Sequence, residues 1–268
     1  VVPAFTFVAV ANAVSYCGAI PNFVDCDKYG GLSPVWLDDW LRNHTVKAVV
    51  AVHNFGHLCD IDQIKKVCDD HGVTLIEDSA QALGALKKVT GHAAAISFNG
   101  NKVITTGGGG MVLTNDEITA SKVRTMASVS KVDVPHQFWH VDVGFNYRMP
   151  NMNAALGVAQ MERLPEILAA KLKLANRYGE AIENVPFARI PRYPRATNHW
   201  LNAVHISDEP LRQEVILLLD SIGLESRLAW TPLNLLPMYQ SNPRDELKIT
   251  MGLAKSIINI PSGPGIKC

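Results

Sequence analysis

A chain of 268 residues, 47% hydrophobic, 19% charged and formally neutral, holds enough apolar material for a sizeable globular core. Its balanced charge gives no footprint for nucleic acid or a membrane surface, and no apolar run is long enough to span a bilayer. Cys17, Cys26, Cys59, Cys68 and Cys268 form no C-x-x-C pair and read as reduced thiols of a cytoplasmic protein. The opening "VVPAFTFVAVANAV" is apolar but lacks the basic flank of a signal peptide. "VKAVVAVHN" (46–54) is a nearly continuous apolar run, which suits a buried parallel strand. "DIDQIKKVCDDHG" (60–72) has helical spacing, with an aspartate at its start and a glycine at its end. "VTLIED" (73–78), "AAAISF" (93–98) and "GMVLTND" (110–116) read as further strands, and a helix is expected from Glu117 to Ser128.

"MNAALGVAQMERL" (152–164) reads as an amphipathic helix with Met152, Ala155, Leu156 and Ala159 on one face. Pro165 starts or kinks the next helical stretch. "PFARIPRYPRATNHW" (186–200), rich in proline and arginine, reads as a connection. A strand ("WLNAVHI"), a helix ("PLRQEVILLLDSIG"), a proline-containing loop and a last helix ending near Ile258 follow. The pattern predicts an α/β chain with a mainly parallel sheet in a large domain, 1–165, and a connecting helix with a small α+β domain, 166–268.

In open parallel sheets, ligands bind beyond the carboxyl ends of the strands. Asp78 ends "VTLIED", and Ser97 and Lys102 lie at and beyond the end of "AAAISF". A carboxylate and an amine at one rim can form a plain salt bridge. The run "TTGGGG" (105–110) lets backbone pass close to that lysine without Cβ collisions, though a turn between strands is its plainer reading. It is no Walker loop, because the lysine precedes the glycines and no G-K-[ST] is present. A strand-end aspartate with a loop lysine is also what a pyridoxal phosphate enzyme requires. The amine binds the cofactor aldehyde, and the carboxylate keeps the pyridine nitrogen protonated. His53 and His57 flank "NFG" and are either structural or turned toward a ligand. With Cys59 they do not form a standard zinc spacing, and no metal site is expected.

The stretches "VVPAFTFVAVANAV", "VHNFGHLCDID", "IEDSAQALGA", "SFNGNKVITTGGGGMVLTND", "GFNYRMPNMNAALGVAQMERL" and "NHWLNAV" together resemble the DegT/StrS-type nucleotide-sugar aminotransferases, which are fold-type I pyridoxal phosphate enzymes. The resemblance implies transfer of an amino group from glutamate to a nucleotide-linked keto-sugar, in making bacterial surface polysaccharides or nonulosonic acids. It implies pyridoxal 5′-phosphate as cofactor, Lys102 as the Schiff-base lysine and Asp78 as partner of the pyridine nitrogen. By the same likeness Gln81 contacts the ring hydroxyl, Ser97 donates to the cofactor phosphate and Phe7 stacks on the ring. Asn146 and Arg148 match a segment that the neighbouring subunit of a homodimer lends to the phosphate region. His199, Trp200 and Arg227 match the smaller domain and receive no individual role. Two departures stand out. The link between "QALGA" and "AAISF" is shorter than in relatives. The likeness also begins after a segment that in relatives carries a first helix and a phosphate-binding Gly-Thr stretch, so full cofactor binding is expected to need that segment. The alternative is a catalytically inactive or truncated homologue with a binding or structural role.

Overall fold

The computed structural model describes residues 1–266; Cys268 lies outside the described residues. In chain order the elements are β1 (Val2–Pro3), α1 (Ala9–Tyr16), β2 (Phe23–Val24), α2 (Pro34–Asn43), β3 (Ala48–Val52), α3 (Ile61–Asp70), β4 (Thr74–Asp78), β5 (Ala93–Ser97), β6 (Gly110–Leu113) and α4 (Glu117–Ala127). Then come β7 (Lys131–Val134), β8 (Gln137–His140), α5 (Asn151–Glu162), α6 (Leu164–Ile182), β9 (Ala188–Arg189), β10 (Asn202–Ile206), α7 (Glu209–Ser221), β11 (Arg227–Leu228), α8 (Lys248–Ala254) and β12 (Ile257–Ile260).

The central sheet has the order β3-β4-β5-β6. Its first three strands are parallel and β6 is antiparallel to β5. β1 and β2 form a parallel pair, tied to β3 where Val50 N–H donates to Val1 O at 2.9 Å. One face of the sheet buries Val49, Ala51 and Leu75 against Leu37, Leu41 and Ile64 of α2 and α3. Each such Val, Leu or Ile side chain contributes about 1.5–3 kcal/mol when removed from water. Helix starts follow the capping rules. Ser33 caps α2 ahead of Pro34, Asp116 accepts the Thr119 N–H at 2.7 Å at the start of α4, and Asp208 caps α7.

The glycine run has a backbone cause. Gly107 and Gly109 have φ of 79° and 122°, which side chains rarely adopt. A Cβ on Gly110 would stand 2.5 Å from Ile96 O, because β6 folds back directly beside β5.

A second, antiparallel sheet has the order β11-β12-β10-β9, and β7 and β8 form an antiparallel hairpin. The expected last helix is corrected here: it stops at Ala254, and Ile257–Ile260 is a strand paired with β10. The connection 186–200 also holds a short strand, β9. α5 forms as predicted but buries no residue, so the apolar face expected to pack is open. No helix among the described residues is long and apolar enough to cross a membrane.

Candidate active site

β4 ends on two carboxylates that alternate to opposite sides, as strand geometry requires. Glu77 turns inward and is fully buried. Its Oε1 accepts the N–H groups of Thr90 and Gly91, both at 2.6 Å, and its Oε2 lies 3.2 Å from His53 Nε2. The Cys59 N–H points at His53 Nδ1 at 3.2 Å, and Nε2 faces Glu77. Burial disfavours the charged ring, but the contacts with Cys59 and Glu77 raise its pKa to about 10. Burial pushes the Glu77 carboxyl up, but the bonds from His53, Gly91 and Thr90 hold it below the usual range. This lock fixes the ends of β3 and β4 to the loop that leads into β5.

Asp78 faces the rim between its neighbours. His53 N–H donates to Asp78 O at 3.1 Å, and Ser79 N–H to Ala95 O at 2.9 Å. Asp78 Oδ1 accepts the Ala80 N–H at 2.9 Å, which leaves Oδ2 for another donor. Burial pushes this carboxyl above the ordinary aspartate range, and the Ala80 bond and the Lys102 charge act against the rise.

Lys102 follows β5 on a tight turn, with its N–H donating to Asn99 O at 3.0 Å. Its amine is half-buried, and burial lowers its proton affinity while Asp78 opposes the fall. The two charges feel each other, yet among the described residues no ion pair within 4.0 Å joins them. Instead Lys102 Nζ stands 4.2 Å from the ring centroid of Trp200.

Gln81 is buried, and its Oε1 accepts the Phe55 N–H at 2.6 Å. Ser97 ends β5; its Oγ accepts the Asn99 N–H at 3.3 Å, so its own O–H can donate elsewhere. Phe7 is 53% exposed in the turn ahead of α1, while its neighbour Thr6 is buried and anchored to Asn54 Oδ1 at 3.1 Å. Asn146 is exposed and bridged to Ser128, and Arg148 is exposed as well. Within one chain, that bridge ties Asn146 to the end of α4 rather than to Asp78 or Lys102. Buried His53 faces Glu77, and His57 is buried and stacked at 4.3 Å on Tyr193. Both are therefore packed into the protein rather than turned to a ligand. Among the described residues no group of three or more His, Cys, Asp or Glu side chains is arranged to hold a metal ion.

One site residue escaped the sequence reading. Asn198 is buried. Its Nδ2 donates to Gln81 O and Leu83 O, both at 2.8 Å, and its Oδ1 accepts the Trp200 N–H at 2.8 Å. It ties the 197–201 segment to the loop after Asp78. A lone asparagine in an Arg- and Pro-rich connection gives no local signal of this.

The sequence profile of the DegT/DnrJ/EryC1/StrS aminotransferase family matches residues 1–268. GDP-perosamine synthase of Caulobacter vibrioides is 36% identical, over 99% of this chain and 74% of that protein. EpsN of Bacillus subtilis, named a putative pyridoxal phosphate-dependent aminotransferase, is 35% identical over 97% of this chain and 71% of its own. DesI, solved in the presence of its TDP-sugar product, superposes with a TM-score of 0.89 at 29% identity, over 99% of this chain and 70% of that one. Helicobacter pylori PseC, at 22% identity and a TM-score of 0.93 over 99% of this chain and 74% of that one, shares the fold. The chain therefore belongs to the DegT/DnrJ/EryC1/StrS aminotransferase family: its fold is the fold-type I aminotransferase fold and its enzyme class is aminotransferase.

Proposed function

We propose that this chain transfers an amino group from glutamate to the keto carbon of a nucleotide-linked sugar in the cytoplasm, for bacterial surface polysaccharide or nonulosonic acid. Pyridoxal 5′-phosphate is the cofactor, and the working form is a homodimer with shared sites. The observation that carries the reading is the unjoined pair at the rim. Lys102 and Asp78 act on each other's charge but do not close into an ion pair, as two groups meant for opposite ends of one ring would be set. The donor set fits the cofactor: an amine of lowered proton affinity, a carboxylate with Oδ2 open, a pinned amide and a hydroxyl.

When bound, the cofactor supplies an electron sink for the carbon that loses or gains the amine. Asp78 holds a proton at the ring nitrogen. Lys102 moves a proton at the reacting carbon, and its burial keeps more of the amine in the neutral, basic form. Gln81, oriented by Phe55 N–H, presents its amide to the ring hydroxyl. Ser97 would help hold the phosphate, and the open Phe7 ring would help hold the pyridine. Among the relatives, one is named for a GDP-linked sugar and one was solved with a TDP-sugar, which supports a nucleotide-linked acceptor.

The test pairs cofactor attachment with product. Borohydride reduction after incubation with pyridoxal phosphate is expected to fix the cofactor on Lys102, read by peptide mass spectrometry, and Lys102→Ala to abolish both attachment and transfer. A panel of GDP-, TDP- and UDP-linked keto-sugars with glutamate is expected to yield one aminated product. No attachment to Lys102 and no product from any sugar would leave the inactive or truncated homologue, with a binding or structural role, in its place.

A further inference from the structure

A reacting lysine has a geometric problem whenever it is not bonded to cofactor. Its amine sits on a four-carbon stem with several rotatable bonds, and a carboxylate waits at the same rim. Collapse onto Asp78 would withdraw both groups from use. The structure shows the amine elsewhere, against the indole face of Trp200 at 4.2 Å from the ring centroid. A cation over an aromatic face is attracted by the ring's negative face, and most strongly by tryptophan.

The indole is fixed on every side. Trp200 is 6% exposed and packs among Ile96, Phe98, Ile104 and Ile167. Its Nε1–H donates to Asn101 O, the carbonyl just before Lys102, at 2.7 Å. Its backbone N–H is held by Asn198, and its carbonyl accepts Lys171 Nζ at 3.2 Å. Asn198 in turn grips the carbonyls of Gln81 and Leu83.

We propose that Trp200 is a positioning residue whose indole face holds the free amine of Lys102 away from Asp78, and that Asn198 sets the position of this face relative to Gln81. The proposal rests on the reading of Lys102 as the reacting amine. Of the charged groups around it, Asp78 on β4 acts on Lys102 and His53 acts on Asp78. From the 197–201 segment, His199 faces Lys171 instead.

The test uses the full chain freed of cofactor. Acylation of Lys102 by acetic anhydride is followed against pH, by peptide mass spectrometry, in the wild type, Trp200→Phe and Trp200→Leu. Without the indole the amine is free to pair with Asp78, which favours the ammonium form more than a distant carboxylate does, so Trp200→Leu is expected to raise the midpoint by about one pH unit. Trp200→Phe should fall between, and other lysines should not move. An unmoved midpoint in folded Trp200→Leu overturns the proposal. If that variant does not fold, mono-, di- and trifluorotryptophan are incorporated instead, which weakens the ring's face without changing its shape. A stepwise rise in the midpoint supports the contact, and a flat or falling series overturns it. Because this measurement uses no cofactor, it fails independently of borohydride attachment. A Trp200-dependent midpoint with no cofactor on Lys102 removes the reading on which the proposal rests, whereas attachment with an indifferent midpoint removes the proposal alone.

Discussion

Asp78 is a carboxylate that its surroundings would rather see neutral. Burial raises its proton affinity, and the Ala80 N–H and the Lys102 charge offset this in part. A cationic ring nitrogen brought to Oδ2 would favour the charged form. Asp78→Asn keeps the shape and removes the charge. Transfer rate is expected to fall roughly a hundred- to a thousandfold, with cofactor affinity falling much less. Steady-state kinetics beside a cofactor titration checks this, and a near-normal rate would reduce Asp78 to a structural role. The rim positions of Asp78 and Lys102 were legible in the sequence because each stands at the end of an apolar strand or just past it. Glu77 and Asn198 were not. Glu77 sits beside Asp78 and differs from it only by the alternation of the strand. Asn198 acts through bonds to residues 117 and 115 positions away, and nothing local records them.

At the scale of elements, β3, β4 and α3 followed from apolar runs and helical spacing, whereas α2, capped by Ser33, was not read from the sequence. β12 did not, because "SIINI" is apolar at either period and becomes a strand through pairing with distant β10. The turn after β3 is where separate elements are forced into one geometry. Gly56 has φ of 88°, and a Cβ there would lie 1.8 Å from Asn198 Oδ1 and 2.9 Å from Trp200 N. Gly18 has φ of 71° with open space around it. Gly56→Ala is expected to cost roughly 2–4 kcal/mol, from backbone strain plus collision. Gly18→Ala carries the strain alone and is expected to cost about 1 kcal/mol. Urea unfolding of both variants separates the two contributions. Equal losses would show that the Asn198 clasp yields without penalty.

Seen whole, the molecule gathers exposed apolar side chains between residues 138 and 161. Phe138 is 86% exposed, Val143 81%, Tyr147 77% and Met152 86%, and α5 buries nothing. Apolar surface gathered in this way marks an interface. A second copy of this chain is the occupant that the family likeness implies, with Asn146 reaching the neighbouring site. An isologous dimer makes this testable with two dead variants. Lys102→Ala and Asn146→Ala are each expected to be inactive or nearly so. In a mixed dimer with crossed sites, one site carries both defects and the other carries neither. Random reassociation after mild denaturation makes about half of the dimers mixed, so about a quarter of wild-type activity should return. If Asn146 serves its own subunit, each mixed site keeps one defect and nothing returns. Sedimentation of Met152→Glu/Leu156→Glu supplies the assembly half of the argument. These charges on the open face of α5 are expected to leave a monomer with little activity, and a variant that stayed dimeric and active would move the interface elsewhere.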